Sequence, residues 1–323
     1  MHIILIDPLE KLVLKKDSSL LLALTMKQQK IPVCLCFVQD LFLVNHHESF
    51  ELKVWSFKGT IDRQTSMITN FVLGSKKKVK IAKGNELYLH MRLDPPFDKR
   101  YLQVLWLLQN MENFGVKVIN SAGGIASYNE KCLAYFHSRN KIPTFVGHSQ
   151  EQLRPFLQGL KREGYKAIVM KPLDLYQGIG VEKYSFQGKD ALEKMIHIFA
   201  ARTQEAHTPL VVQPFLQEIY QGEVRSTFFA KKHLGSILKV PQEGKFLANV
   251  AQGSSFTPID LNPRQKKECQ RLANELFSLG IYWIAFDIIG DYISEVNITC
   301  PGLLVEISKS HGQNLALEIL ELL

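Results

Sequence analysis

The chain has 323 residues, 46% hydrophobic and 22% charged, with a formal net charge of +8. That length suits a sizeable core and about two domains, and the composition excludes the disordered and fibrous classes. No apolar run nears the ~20 residues of a bilayer span, and the opening MHIILIDP lacks the basic segment of a signal peptide, so a cytoplasmic protein without membrane contact is expected.

In chain order, HIILID (2–7) is a continuous apolar run, the pattern of a parallel strand buried on both faces. SSLLLALTMKQQK (18–30) follows as a helix, with Ser18 or Ser19 as its cap. IPVCLCFV (31–38) is the next strand. Residues 46–86 are polar, and FELKVWSFKG and VKIAK within them suit edge strands or an excursion. ELYLHMRL (86–93) is a strand stopped by Pro95-Pro96, and the helix KRYLQVLWLLQNMENFG (99–115) ends at Gly115. VKVIN (116–120) closes a unit of alternating strands and helices, an α/β layer.

The second part opens with the helix NEKCLAYFHSR (129–139), the strand IPTFVGH (142–148) and the helix SQEQLRPFLQGLKREG (149–164). The strand YKAIVMKP (165–172) ends at Lys171-Pro172 and leads into a polar loop containing glycines. LVVQPFL (210–216) is a strand, EVRSTFFAKKHLGSILKV (223–240) an antiparallel hairpin, and RQKKECQRLANELFSLG (264–280) an amphipathic helix. A hairpin, DIIGDYISEVNIT (287–299), precedes the closing helix HGQNLALEILELL (311–323).

The five cysteines are scattered, and Cys34-x-Cys36 is a poor chelate, so free thiols are expected. The lysines of GSKKKVK (74–80) have no adjacent aromatic or motif support for nucleic acid and read as a solvated loop. The remaining positive excess suits anionic small molecules such as nucleotides. His46 and His47 have no ligand spacing, and there is no G-x-x-x-x-G-K-[ST], G-x-S-x-G or H-E-x-x-H motif.

The chemistry concentrates in the last hairpin. Glu295 and Asn297, two apart on a strand, share a face. A two-residue turn at Gly290-Asp291 pairs Asp287 with Ser294, whereas a three-residue turn pairs it with Glu295. The second register converges two carboxylates and an amide oxygen, a donor set for Mg²⁺ that leaves positions for water and phosphate. A metal-binding reading therefore commits to the odd-residue turn; an exposed polar face is the alternative. Lys171, at the end of an apolar strand, is expected to point from a sheet edge into a cleft, while Lys131 at a helix start would ordinarily snorkel to solvent. Together with the hairpin they suggest a nucleotide site, with lysines on phosphates and carboxylates on the metal. The DLYQGIG loop after Lys171 could cover phosphate, although it carries only Gly178 and Gly180.

These residues resemble the bacterial-type glutathione synthetases, members of the ATP-grasp ligases. The resemblance spans nearly all of the chain through IDP and KKDSS near the start, MRLDPPFD (91–98), NEK (129–131), KPLD (171–174) and FDIIGDYISEVNIT (286–299). It implies an N-terminal parallel α/β domain over 1–122 and an ATP-grasp domain over 123–323, with a small lid subdomain at about 136–211 and a C-terminal antiparallel sheet. It also implies a carboxylate–amine ligase joining γ-glutamylcysteine and glycine through an acyl phosphate, with ATP as co-substrate and Mg²⁺ (or Mn²⁺) as metal. The partners would be small molecules and further copies of the chain in a homo-oligomer. Carried onto this sequence, the pattern places ATP on Lys131, Lys171, Gly178, Gln213, Phe215, Leu216 and Glu223, and the metal on Asp287, Glu295 and Asn297. Arg225 faces the acyl phosphate or substrate carboxylate, Asn249 lies on a closing loop, and Asp17, Ser18 and Arg92 face the dipeptide.

The departures are local. Leu175-Tyr176-Gln177-Gly178 stands where the family has G-x-G-G. Lys239, Leu247 and Ser255 stand where its mobile loop carries arginines. Thr299-Cys300-Pro301-Gly302 replaces T-S-P-T, and Val305 replaces the arginine before Glu306, so the partners expected around the glycine carboxylate are missing. The open alternatives are a ligase with another amine acceptor and a non-catalytic ATP-binding protein of the same fold.

Overall fold

The computed structural model describes residues 1–44, 49–82, 84, 86–206, 208–250 and 253–323, and the His46-His47 pair lies outside them. Three sheets follow one another along the chain. The first has the order β4-β3-β2-β1-β5-β6, with β1 (His2–Ile6), β2 (Val33–Cys36), β3 (Ser49–Ile61), β4 (Ile68–Ala82), β5 (Tyr88–Arg92) and β6 (Lys117–Ile119). Strands β2, β1, β5 and β6 run parallel, and β3 and β4 add an antiparallel hairpin at one side. The apolar run of β1 is explained by burial on both faces: Ile3 and Leu5 enter one core, Ile4 and Ile6 another.

The hairpin corrects the reading of GSKKKVK as a loop, because those residues belong to β4. Lys76, Lys77, Lys78 and Lys80 are exposed on this edge strand, where charge guards unpaired backbone against another chain. Cys34 and Cys36 share one face of β2 in the core, and all five cysteines are free thiols.

Helix α1 (Ser18–Gln28) is capped by Asp17, whose carboxylate accepts from Leu20 N at 2.8 Å, and not by a serine. The carboxylate reaches that amide from the turn before the helix, which frees both hydroxyls for tertiary contacts. Ser18 Oγ accepts from Leu304 N, and Ser19 Oγ accepts from Arg92 Nε. Helix α2 (Lys99–Asn113) is followed by Gly115 at φ 93°, as its pattern predicts, and α3 (Ala122–Ser127) leads out of the first sheet.

A short helix, α4 (Glu130–Cys132), continues as a π-helical turn to His137. The second sheet has the order β7-β10-β8-β9, from β7 (Phe145–Gly147), β8 (Ala167–Pro172), β9 (Glu182–Ser185) and β10 (Leu210–Pro214). Helices α5 (Gln150–Arg162) and α6 (Ala191–Ala206) pack on it, and this layer has its own core around Leu157, Met170 and Phe199. Strand β9 and helix α6 were not legible in the sequence. The third sheet is antiparallel throughout, order β13-β12-β11-β14-β15. Its strands are β11 (Glu223–Phe229), β12 (Lys232–Val240), β13 (Ser255–Pro258), β14 (Trp283–Ile289) and β15 (Tyr292–Asn297).

Helix α7 (Pro263–Ser278) starts with an Asn262–Gln265 capping box, and α8 (Leu304–His311) and α9 (Ala316–Glu321) close the chain. The first and third sheets share the core that runs from Ile3 to Ile298. Among the described residues no helix is long and apolar enough to cross a membrane.

Candidate active site

A cavity of about 410 Å³ opens where the three sheets meet, and every site residue chosen from the sequence lines it. Its floor is the β14–β15 hairpin. Asp287 pairs with Glu295 and Ala285 with Asn297, so the three candidate metal ligands do share a face. The expected three-residue turn is not how this is achieved. Ile289 pairs with Tyr292 across a two-residue Gly290-Asp291 turn, with Gly290 at the positive φ of 57° that its first position in such a hairpin requires. A β-bulge at Ser294 then shifts the register by one and restores the Asp287–Glu295 pairing. The bulged Ser294 hydroxyl donates to Glu223 and to the Asp287 carbonyl, both at 3.2 Å.

The carboxylates meet cations of the chain. Asp287 Oδ1 lies 2.8 Å from Lys239 Nζ and 3.2 Å from Arg225 Nε. Lys239, expected on the mobile loop, is instead buried on β12, where it also reaches Glu223 at 2.7 Å. Burial pushes the Asp287 carboxyl up, but Arg225 and Lys239 outweigh it and hold the pKa below the usual range. At Glu223 burial prevails and the pKa is raised. Their surroundings therefore favour the charged form more at Asp287 than at Glu223. Asn297 spends its amide N–H groups on Asp287 Oδ2 at 3.0 Å and Ala285 O at 3.1 Å, which leaves its oxygen as a donor atom for a cation.

Lys131 does not snorkel. It is buried, 3.1 Å from Glu295 and bonded to Leu175 O at 2.7 Å. Burial alone would lower its pKa, yet Glu295 and Glu130 raise it on balance. Lys171 is not at a sheet edge: β8 lies between β10 and β9, and the side chain enters the cavity from inside the sheet. Its Nζ approaches Tyr135 Oη at 3.4 Å, and burial lowers its pKa to about 8. Arg225 has a buried Nη1 with no partner among the described residues, an open donor facing the same space.

An apolar slot continues from these charges. Phe215 packs edge-on to Phe246 and carries Lys183 over its ring at 3.7 Å, beside Val169 and Ala248. Gln213 is buried and donates to Thr144 at 2.9 Å, while Leu216 lines the slot. Two loops meet over it: Asn249 Nδ2 donates to Gln177 O at 2.9 Å, and Gly178, at φ 75°, faces Leu247 closely enough that a Cβ would stand 3.1 Å away. On the opposite wall, Arg92 donates to Ser19 and to Pro301 O at 2.7 Å and stacks 4.0 Å from the Trp283 ring. Asp17 lies beside it, its pKa raised to about 6 by burial.

Sequence reading missed several members of the site. Glu130 is buried and accepts from Ile298 N at 2.6 Å and from Thr299 N and Oγ1 at 2.8 Å, clamping the end of the ligand strand to α4. Tyr135 and Phe246 carry no pattern that marks them. Val305, read as facing the acceptor, is a correction: it sits in the apolar core against α1 and does not line the cavity.

Three layers of this order, with a charged cavity between two antiparallel sheets, define an ATP-grasp carbon–nitrogen ligase. The chain belongs to the prokaryotic glutathione synthetases: the N-terminal-domain model of that family matches residues 1–125 and its ATP-grasp-domain model residues 130–312. The glutathione synthetase of Prochlorococcus marinus subsp. pastoris is 29% identical over 318 residues, covering 98% of this chain and 96% of that one. That of Nitrosomonas europaea is 32% identical over 227 residues, 70% of this chain and 68% of its own length. Among solved structures, the D-cycloserine synthetase DcsG superposes with a TM-score of 0.65 at 15% identity over the whole of both chains. The ATP-grasp ligase PsnB gives 0.60 at 15% over 99% of this chain and 97% of that one. At such identities these two show the fold. The family uses ATP with a divalent metal.

Proposed function

We propose that this ligase joins the carboxylate of γ-glutamylcysteine to the amine of glycine, with ATP converted to ADP and phosphate. The supporting observation is that the cations Lys131, Lys171 and Arg225 and the Asp17–Arg92 wall line one cavity, so a phosphate donor and a carboxylate substrate can meet there. The donor set of two carboxylates and an amide oxygen fits Mg²⁺, or Mn²⁺, which commonly keeps positions for phosphate. Bound to Asp287, Glu295 and Asn297, such an ion would supply neutralising charge and orientation to the triphosphate.

The side chains divide the work. Lys131 and Lys171 hold phosphate oxygens, and Gly178 lets backbone approach them. Phe215 and Leu216 enclose the base, Gln213 fixes its edge, and Glu223 takes the ribose hydroxyls. Asp17, Ser18 and Arg92 orient the dipeptide so that its carboxylate oxygen attacks the terminal phosphorus and ADP leaves. The neutral amine nitrogen then forms the C–N bond to the acyl carbon and gives up a proton, and the C–O bond to phosphate breaks with its electron pair on the departing phosphate, which can take that proton. Arg225 faces the charge that builds on the transferring group. Asn249 ties the covering loop down, excluding the water that would hydrolyse an acyl phosphate.

The test is phosphate release by the purified protein with Mg-ATP and γ-glutamylcysteine, with and without glycine and then a panel of amines. Stimulation by glycine is the expected result. Stimulation by another amine alone would replace the acceptor, and none by any amine would refute the substrate assignment.

A further inference from the structure

Glu306 is a buried carboxyl that the nucleotide and dipeptide assignments leave unused. It is 5% exposed on the first turn of α8 and lines the cavity. Its Oε2 has no hydrogen-bond partner among the described residues, and its Oε1 lies 4.0 Å from Lys16 Nζ, beyond hydrogen-bond reach. Leaving a buried carboxylate this poorly paired is costly, so the site is complete only when an N–H cation joins it. Burial raises its pKa, against the opposing pull of its own backbone N–H and of Lys16.

Its place in the cavity narrows what that cation is. The Leu304 N to Ser18 Oγ bond pins α8 beside Asp17. Glu306 thus lies near the dipeptide wall, within electrostatic range of Asp17 and Arg225. Next to it, Gly302 leaves open space: a Cβ there would meet nothing within 4 Å. Arg92 is committed to Ser19 and Pro301, and Arg225, its Nε on Asp287, keeps its open Nη1 for the transferring group, whereas half-exposed Lys16 has no closer ionic partner among the described residues than Glu306.

We infer that Glu306 and Lys16 form the acceptor subsite, Glu306 taking the ammonium and Lys16 the carboxylate of a small zwitterionic α-amino acid. The inference rests on the ligase reading of the cavity. It needs no arginine at 305, a position that faces the core.

The experiment is ligand-observed NMR titration of glycine, glycinamide and acetate into the protein holding Mg²⁺, a non-hydrolysable ATP analogue and the dipeptide. Wild type should bind glycine more tightly than either half-ligand. Glu306→Gln should weaken glycine by about tenfold or more, the size of a lost charge-assisted contact. Lys16→Met should bring glycine to the level of glycinamide, and Lys15→Met, an exposed neighbour, should bind as wild type does. Glycine affinity unchanged in both Glu306→Gln and Lys16→Met, or no preference for glycine in wild type, would overturn the subsite. Lys16 lies on an exposed turn, so that arm stands even if the Glu306 variant folds poorly. Phosphate release measured in parallel separates the two readings: tight glycine binding without dipeptide-dependent turnover would refute the donor and leave the subsite standing.

Discussion

The floor of the cavity and its acceptor wall are built in different ways. Asp287, Glu295 and Asn297 stand on paired strands, their spacing set by a bulge and their charges locked to Arg225, Lys239 and Lys131. The acceptor wall is a loop and the first turn of a helix, with an open glycine and a loosely paired carboxylate. A strand pair fixes its side chains through backbone geometry, so little can change without loss of the whole. A loop can exchange one anchor for another.

Asp287→Ala should have the largest effect. It strands Arg225 and leaves Lys239 to Glu223 alone in a buried site, at about 3–5 kcal/mol by analogy with other broken buried pairs. Thermal unfolding should show that loss, and turnover should fall below detection. Val305→Arg comes next. Because the position is core, the variant should lose about 2–4 kcal/mol of stability without tightening glycine, read from denaturant unfolding and from glycine titration. Gain of acceptor affinity there would mean that the wall can rearrange.

Lys171→Met should weaken Mg-ATP by roughly 10–100-fold, read by calorimetry. The free protein holds this lysine at about 8, and phosphate favours its charged form, so affinity should fall as pH rises through 8. Stability of the free protein should move the other way, rising with pH between about 8 and the ordinary lysine value, because the unfolded chain binds the extra proton there. The smallest effect is at Asp17, held at about 6 by burial. Dipeptide affinity should drop as pH falls through 6, while the folded protein gains stability toward lower pH, since folding favours the neutral acid. An affinity flat from pH 7 to 5 would remove Asp17 from the dipeptide wall.

Much of this was legible from local pattern. The double-sided strand HIILI, the helix ended by Gly115 and the carboxylate hairpin all declare themselves by periodicity or by an out-of-place polar residue. Other features depend on contacts that spacing does not encode. The bulge at Ser294 follows from the hydroxyl's bonds to Glu223 and the Asp287 carbonyl, not from the turn residues. Lys171 and Lys239 look like edge and loop cations, yet strand order and burial place them inside. Val305 and Glu306 are neighbours in sequence, and only the helix turn decides that one faces the core and the other the cavity.

The central claim is that the bulged hairpin holds a divalent ion beside the triphosphate. Electron paramagnetic resonance of Mn²⁺, titrated into the protein with a non-hydrolysable ATP analogue, tests it directly in wild type and Glu295→Gln. Tight nucleotide-dependent binding that weakens at least about tenfold in the variant is the predicted result. Equal Mn²⁺ affinity in both proteins would contradict it and move the metal away from the hairpin.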